Sequence, residues 1–174
     1  MKDIELRLVS ELMKNSCRSD RELAQALQVS QPTVSRTRKK LEKEGYISEY
    51  TAIPNFNKIG YHIFALTFFS WKHGLNVEEK EEARKLALEK SPHVADNVVL
   101  IERGIGFEHD SFMASFHKDY ASYTELLKEA RANPYMDTHK LQSFLVDLDD
   151  KVHYRYLTFS TLAKHMLEKN QKKT

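Results

Sequence analysis

Between residues 1 and 60, apolar positions recur at helical spacing in three short runs. Ile4, Leu8, Val9, Leu12 and Met13 return every three to five residues behind Asp3, a good N-cap type, and predict a first helix with one inward stripe. Asn15-Ser16-Cys17-Arg18 is a polar break. Ser19-Asp20-Arg21-Glu22 then has the form of a capping box, opening a second short helix with Leu23, Ala24 and Leu27 inward. Only Gln28 and Val29 separate it from Ser30, which can cap a third helix beginning at about Gln31, and Pro32 is tolerated because first-turn amides have no partner inside a helix. Val34 and Leu41, one heptad apart, mark its inner face, and Gly45 supplies a left-handed stop.

The period then changes. Tyr46 to Ile53 is rich in β-formers that alternate loosely, which predicts a strand or short wing, and Pro54 to Gly60 has the turn formers of a hinge. His62 to Trp71 is apolar on both alternating faces, as a strand covered on both sides must be. Val77 to Lys90 predicts a helix, with Glu78, Glu79, Glu81 and Glu82 at its start, Lys85 and Lys90 toward its end, and Ala83, Leu86 and Ala87 inward. A short buried strand is expected over Val98–Glu102, a turn at Gly104-Ile105-Gly106, and a strand in which Phe112, Ala114 and Phe116 alternate. Tyr120 to Ala132 follows as a helix with Tyr123, Leu126, Leu127 and Ala130 inward until Asn133-Pro134 stops it, and Leu141 to Leu148 is the last strand.

This order predicts an α+β chain: an N-terminal winged helix-turn-helix domain over residues 1–53, a hinge at 54–60, a C-terminal ferredoxin-like βαββαβ domain over 61–150, and a helical extension over 151–174. Right-handed crossovers would place both helices on one face of the sheet. The opposite face, apolar because both sets of the first strand are apolar, would need a second copy as its cover. In the extension, Ser160 is expected to cap a short helix with Leu162, Met166 and Leu167 inward, packed on the sheet domain or a dimer mate, before a frayed polar tail from Lys169 to Thr174.

Charge sharpens the reading of the third helix. The net charge of +2 hides an asymmetry, for residues 1–60 hold eleven Lys/Arg against eight Asp/Glu and the remainder sixteen against seventeen. Arg36, Arg38, Lys39 and Lys40 put four cations within five residues, a density suited to phosphates, with Lys40 expected on the backbone. Gln31, Thr33, Ser35 and Arg36 near the amino end are placed to reach base edges, and Ser30, which caps the helix, belongs to the same DNA-binding set. By itself such a stretch is equally a solvated basic helix. Preceded by a capped helix and a two-residue turn, it forms the helix-turn-helix arrangement, whose second helix enters the major groove.

Other chemistry finds little support. Cys17 is the sole cysteine, so an intrachain disulfide or CxxC zinc site is excluded, and a reducing cytoplasm fits. No apolar run reaches the length of a membrane span, and Met1-Lys2-Asp3-Ile4-Glu5 lacks a signal core. The eight histidines (His62, His73, His93, His109, His117, His139, His153 and His165) include no i, i+4 ligand pair. Neither a Gly-rich phosphate loop nor a G-x-S-x-G elbow is present, so no cofactor and no catalysis are expected.

Residues 3–69 resemble the leucine-responsive/asparagine-synthase-regulator (Lrp/AsnC) family of prokaryotic transcription factors. The likeness lies in Leu23-Ala24 with Leu27, Val29-Ser30 leading to Val34-Ser35-Arg36, Arg38-Lys39-Lys40-Leu41-Glu42, Glu44-Gly45-Tyr46-Ile47, Tyr50-Thr51-Ala52 and Ile59-Gly60-Tyr61. The resemblance implies double-stranded DNA as partner, a homodimer or larger assembly formed through the sheet domain, and loops that take an amino acid or similar small effector. The matching effector loop is Arg103 to Asp110, longer than the usual form; Gly104, Gly106 and Asp110 are its candidate lining, with a plain glycine hairpin the competing reading. Sirohaem decarboxylases resemble the same two-domain plan, but their Trp-Pro-Tyr stretch has no match here. A third possibility is an effector or scaffold protein whose helix-turn-helix only packs, against which the basic cluster argues.

Overall fold

The computed structural model describes residues 2–152 and 155–171. It divides into two compact units, Met1–Ile53 with Tyr154–Thr174, and Pro54–His153. In the first, α1 (Asp3–Lys14), α2 (Asp20–Leu27) and α3 (Gln31–Lys43) enclose a core of Leu8, Leu12, Leu23, Leu27, Val34 and Leu41. The expected caps hold at Ser19 and Ser30, whose hydroxyls accept from the amides of Glu22 and Thr33, both at 3.3 Å. At α1 the boundary moves by one: Asp3 is the first helical residue, and the Lys2 amide donates to the Glu5 carboxylate at 2.6 Å. Gln28 turns the chain between α2 and α3 in the left-handed region (φ 57°), and Gly45 ends α3 at φ 73°.

Two expectations about this unit are corrected. From Ile47 to Asn55 the chain has no strand, since its β-forming residues have no ladder partner there. The carboxy-terminal helix α7 (Ser160–Gln171) packs on α1, not on the sheet domain. The cause is a second stripe on α1: Ser10 lies opposite Leu8 and Leu12, yet is fully buried, and its hydroxyl donates to the Ala163 carbonyl at 2.9 Å. A small residue on each helix permits that approach. The inward residues of α7 are therefore Ala163, Met166 and Leu167, while Leu162 is exposed, and Ser160 lies inside the helix with its amide bonded to the Thr158 hydroxyl. The tail from Lys172 and residues 153–154 lie outside the described residues.

The second unit is the expected βαββαβ plan: β1 (Ile63–Trp71), α4 (Val77–Lys90), a short α5 (Pro92–Asn97), β2 (Val98–Gly106), β3 (His109–His117), α6 (Tyr120–Ala132) and β4 (Met136–Asp147). The sheet order is β2-β3-β1-β4, all neighbours antiparallel. Phe69, Met113, Val94 and Leu126 form the core beneath α5 and α6, joined by Ala87 of α4. On the other face β1 presents Phe64, Leu66 and Phe68 in register with Phe116, Ala114 and Phe112 of β3. Among the described residues no α-helix covers this face; Phe56 stacks on Phe116 at its end (3.8 Å), and Phe144 beside it on β4 stays 64% exposed. The buried strand expected at 98–102 is instead a longer edge strand, with Val99, Leu100 and Ile101 all exposed. Among the described residues no strand pairs with β2 beyond β3, so an apolar run there does not mean burial.

Candidate nucleic-acid interface

The faces of α3 follow from its two fully buried residues, Val34 and Leu41, packed on Leu23 and Leu27 of α2. At 100° per residue the opposite face is centred on Pro32, Arg36, Lys39 and Lys43. Those residues are all exposed. Arg36 Nε donates back to the Pro32 carbonyl at 3.3 Å, leaving the terminal guanidinium nitrogens outward. Among the described residues, Arg36, Lys39 and Lys43 make no ion pair. Lys43 was not singled out in the sequence because it lies beyond the four-cation run, although its place one turn after Lys39 was readable from the helical period.

The run of four does not act as one patch. Arg38 falls near the inner face, only about 40° from Val34 by helical rotation. Its Nη2 pairs with Asp20 at 2.8 Å, and its guanidinium lies 5.6 Å from the centroid of the Tyr50 ring. Among the described residues the buried Nε of Arg38 has no hydrogen-bond partner, so Asp20 and the Tyr50 ring together support the guanidinium. Lys40 sits on the flank, 2.6 Å from Glu5 and 3.8 Å from Glu44. The hydrogen bond to Lys40 holds the Glu5 carboxyl below its usual range, and the same bond raises the Lys40 ammonium. At the amino end Ser30 and Gln31 are exposed, while Thr33 and Ser35 are half-buried, with Thr33 Oγ1 2.8 Å from Ser30 Oγ.

The second candidate site is the hairpin joining β2 and β3. Gly104 and Gly106 continue β2, with Gly106 opposite His109, and neither has positive φ. The turn residues are Phe107 (φ 52°) and Glu108 (φ 61°). Two consecutive non-glycine residues in the left-handed region are strained, and they replace the glycine turn expected from the sequence. Asp110 is exposed and accepts from the Ser111 hydroxyl at 2.9 Å, and the pairing of Arg103 with Ser111 and of Gly106 with His109 puts Gly104, Gly106 and Asp110 in the same hairpin. His109, not singled out for this site by the sequence, is buried there beside Phe68, and its Nδ1 has no hydrogen-bond partner among the described residues.

The amino-terminal unit matches the winged helix-turn-helix DNA-binding family over residues 1–48. An uncharacterized HTH-type transcriptional regulator of Pyrococcus furiosus is 31% identical over 106 residues, which are 61% of this chain and 66% of that protein. The uncharacterized HTH-type transcriptional regulator PH0061 of Pyrococcus horikoshii is 29% identical over 126 residues, 72% of this chain and 79% of its own. The crystal structure of PH0061 has the same fold, with a TM-score of 0.67 at 20% identity over 90% of this chain and 98% of that one. LrpC of B. subtilis gives 0.65 at 19% identity over 89% and 99%. The chain has the fold of solved Lrp/AsnC-family structures. Its architecture, a winged helix-turn-helix unit joined to a ferredoxin-like unit, is that of an Lrp/AsnC regulator. The same fold is found in the Neisseria meningitidis regulator NMB0573, solved in complex with L-Met (TM-score 0.70, 18% identity, 93% of this chain and 99% of that one). Among the described residues no helix is long and apolar enough to cross a membrane.

Proposed function

We propose that this DNA-binding regulator acts as a homodimer that reads a specific operator through α3, under the control of an amino acid or similar small molecule. The observation that carries the reading is the exposed triad Arg36, Lys39 and Lys43, opposite the face that Val34 and Leu41 bury. Cations on one side of a helix and core on the other make a rod suited to the major groove, with Ser30, Gln31, Thr33, Ser35 and Arg36 toward base edges. Arg38 and Lys40 serve this indirectly, holding α3 to Asp20, Tyr50 and Glu5.

One helix-turn-helix buries too little surface to select a site, so two must act together, their half-sites about one turn (~34 Å) apart. The sheet face opposite α5 and α6, with the half-buried Phe64, Phe68, Phe112 and Phe116 and the exposed Phe144, is the surface we assign to pairing. For the effector, the β2–β3 hairpin combines strain at Phe107 and Glu108 with an unpartnered buried His109 nitrogen. That NMB0573 was solved with L-Met supports an amino acid as ligand class. Regulation of this kind needs no catalysis, and we place the protein in the cytoplasm. Selection of binding sites from random duplexes should converge on a two-fold symmetric sequence, whose affinity a thermal-shift-positive amino acid then changes. A pool that stays random after repeated rounds would reject sequence-specific reading.

A further inference from the structure

In the amino-terminal unit a cleft of about 670 Å³ opens between three stretches of chain. The end of α1 supplies Leu12 and Met13, the extended segment after α3 supplies Tyr46 and Tyr50, and the strap leading into α7 supplies Leu157 and Phe159. This is within the roughly 300–1,000 Å³ of small-molecule sites. Its apolar walls remain unfinished as a core, with Tyr46 53%, Tyr50 42%, Leu157 60% and Phe159 48% exposed.

The charges of the lining define what would enter. Lys14 is neutralised by Glu11 at 2.5 Å. Glu49, the other charged residue of the lining, makes no ion pair among the described residues. A cleft walled by tyrosine and phenylalanine rings, whose faces are electronegative, and carrying one uncompensated carboxylate favours a flat apolar cation. Tyr50 already holds a cation on its ring, the Arg38 guanidinium, and its hydroxyl donates to Glu42 at 2.8 Å. Both of those partners belong to α3, so an occupant that shifts Tyr50 is felt at the recognition helix.

We propose that this cleft is a binding site for a planar aromatic monocation, with Glu49 as its counter-ion and the carboxy-terminal strap as its third wall. The probe is rhodamine 6G, a planar aromatic cation, titrated against the full chain by fluorescence anisotropy, with circular dichroism confirming that each variant is folded. Saturable binding is expected, weakened about tenfold by Glu49→Gln, which removes charge but keeps shape. Leu157→Arg, at an exposed wall position, should weaken it at least as much, whereas Phe107→Ser in the sheet unit should leave it unchanged. The neutral dye Nile red should bind without regard to residue 49. Absence of saturable rhodamine binding, indifference to both cleft substitutions, or loss in Phe107→Ser would each overturn the assignment.

Discussion

His117 offers the most quantitative test of the sheet unit. Its ring is fully buried in β3, with Nε2 2.8 Å from Ser115 Oγ, Nδ1 3.3 Å from Ser122 Oγ, and the Tyr123 ring edge-on at 5.5 Å. Burial first, and then the charge of His93, lower its pKa from 6.5 to about 4. Below pH 6.5 the unfolded chain takes up a proton that the native ring refuses. The stability is thus whole above that pH, falls as the pH drops, and levels off below about 4. With those two values the loss is about 2 kcal/mol at pH 5 and about 3 kcal/mol at pH 4. Trp71 is the only tryptophan and lies in β1, so urea unfolding followed by its fluorescence reports this unit. Between pH 7 and 5 the wild type should lose about 2 kcal/mol more than His117→Gln, in which other titrations are retained. Equal pH dependence of the two proteins would show that His117 is protonated in the native fold and that the burial reasoning is wrong.

Further outcomes follow from the partition of charges and from the turn. Arg36→Ala should cost roughly 1–3 kcal/mol of operator binding and relax specificity, and Lys39→Ala should reduce the salt slope by about 0.9 per head in anisotropy titrations. Lys40→Ala should leave that slope nearly unchanged, because its ammonium is committed to Glu5; a loss equal to that of Lys39→Ala would contradict the pairing. Replacing Phe107-Glu108 by Asn-Gly should stabilise the sheet unit by about 1–3 kcal/mol in urea melts read at Trp71, and no gain would mean the turn is unstrained. At micromolar concentration light scattering should give at least the mass of two chains, and Phe64→Asp should lower it; a wild type with the mass of one chain ends the pairing proposal.

Most elements were legible because local signals and tertiary demands agree. Ser19 and Ser30 cap where their spacing to the apolar stripes requires, and Val77–Lys90 and Tyr120–Ala132 fall where the helical period places them. What escaped depends on neighbours. The six residues of α5 are too few to show a period, and Val98–Ile101 read as buried because edge position leaves no trace in an apolar run. Glycine chemistry placed the hairpin turn at 104–106, yet strand pairing extends to Gly106 and forces positive φ on Phe107 and Glu108. On α3 the density of basic residues suggested one patch, and only the three-dimensional positions of Asp20, Tyr50 and Glu5 withdraw Arg38 and Lys40 from it. The packing of α7 on α1 was hidden for the same reason, since Ser10 on an outward face looks solvated until Ala163 is seen against it.

The most direct measurement is the affinity of the full chain for a labelled duplex as salt is raised from about 50 to 200 mM. Six outward cations on two heads should give a slope of log affinity against log salt of roughly −5, made much shallower when Arg36, Lys39 and Lys43 are all replaced by alanine. A flat dependence, or no binding to any duplex at low salt, would contradict the assignment of α3 to DNA.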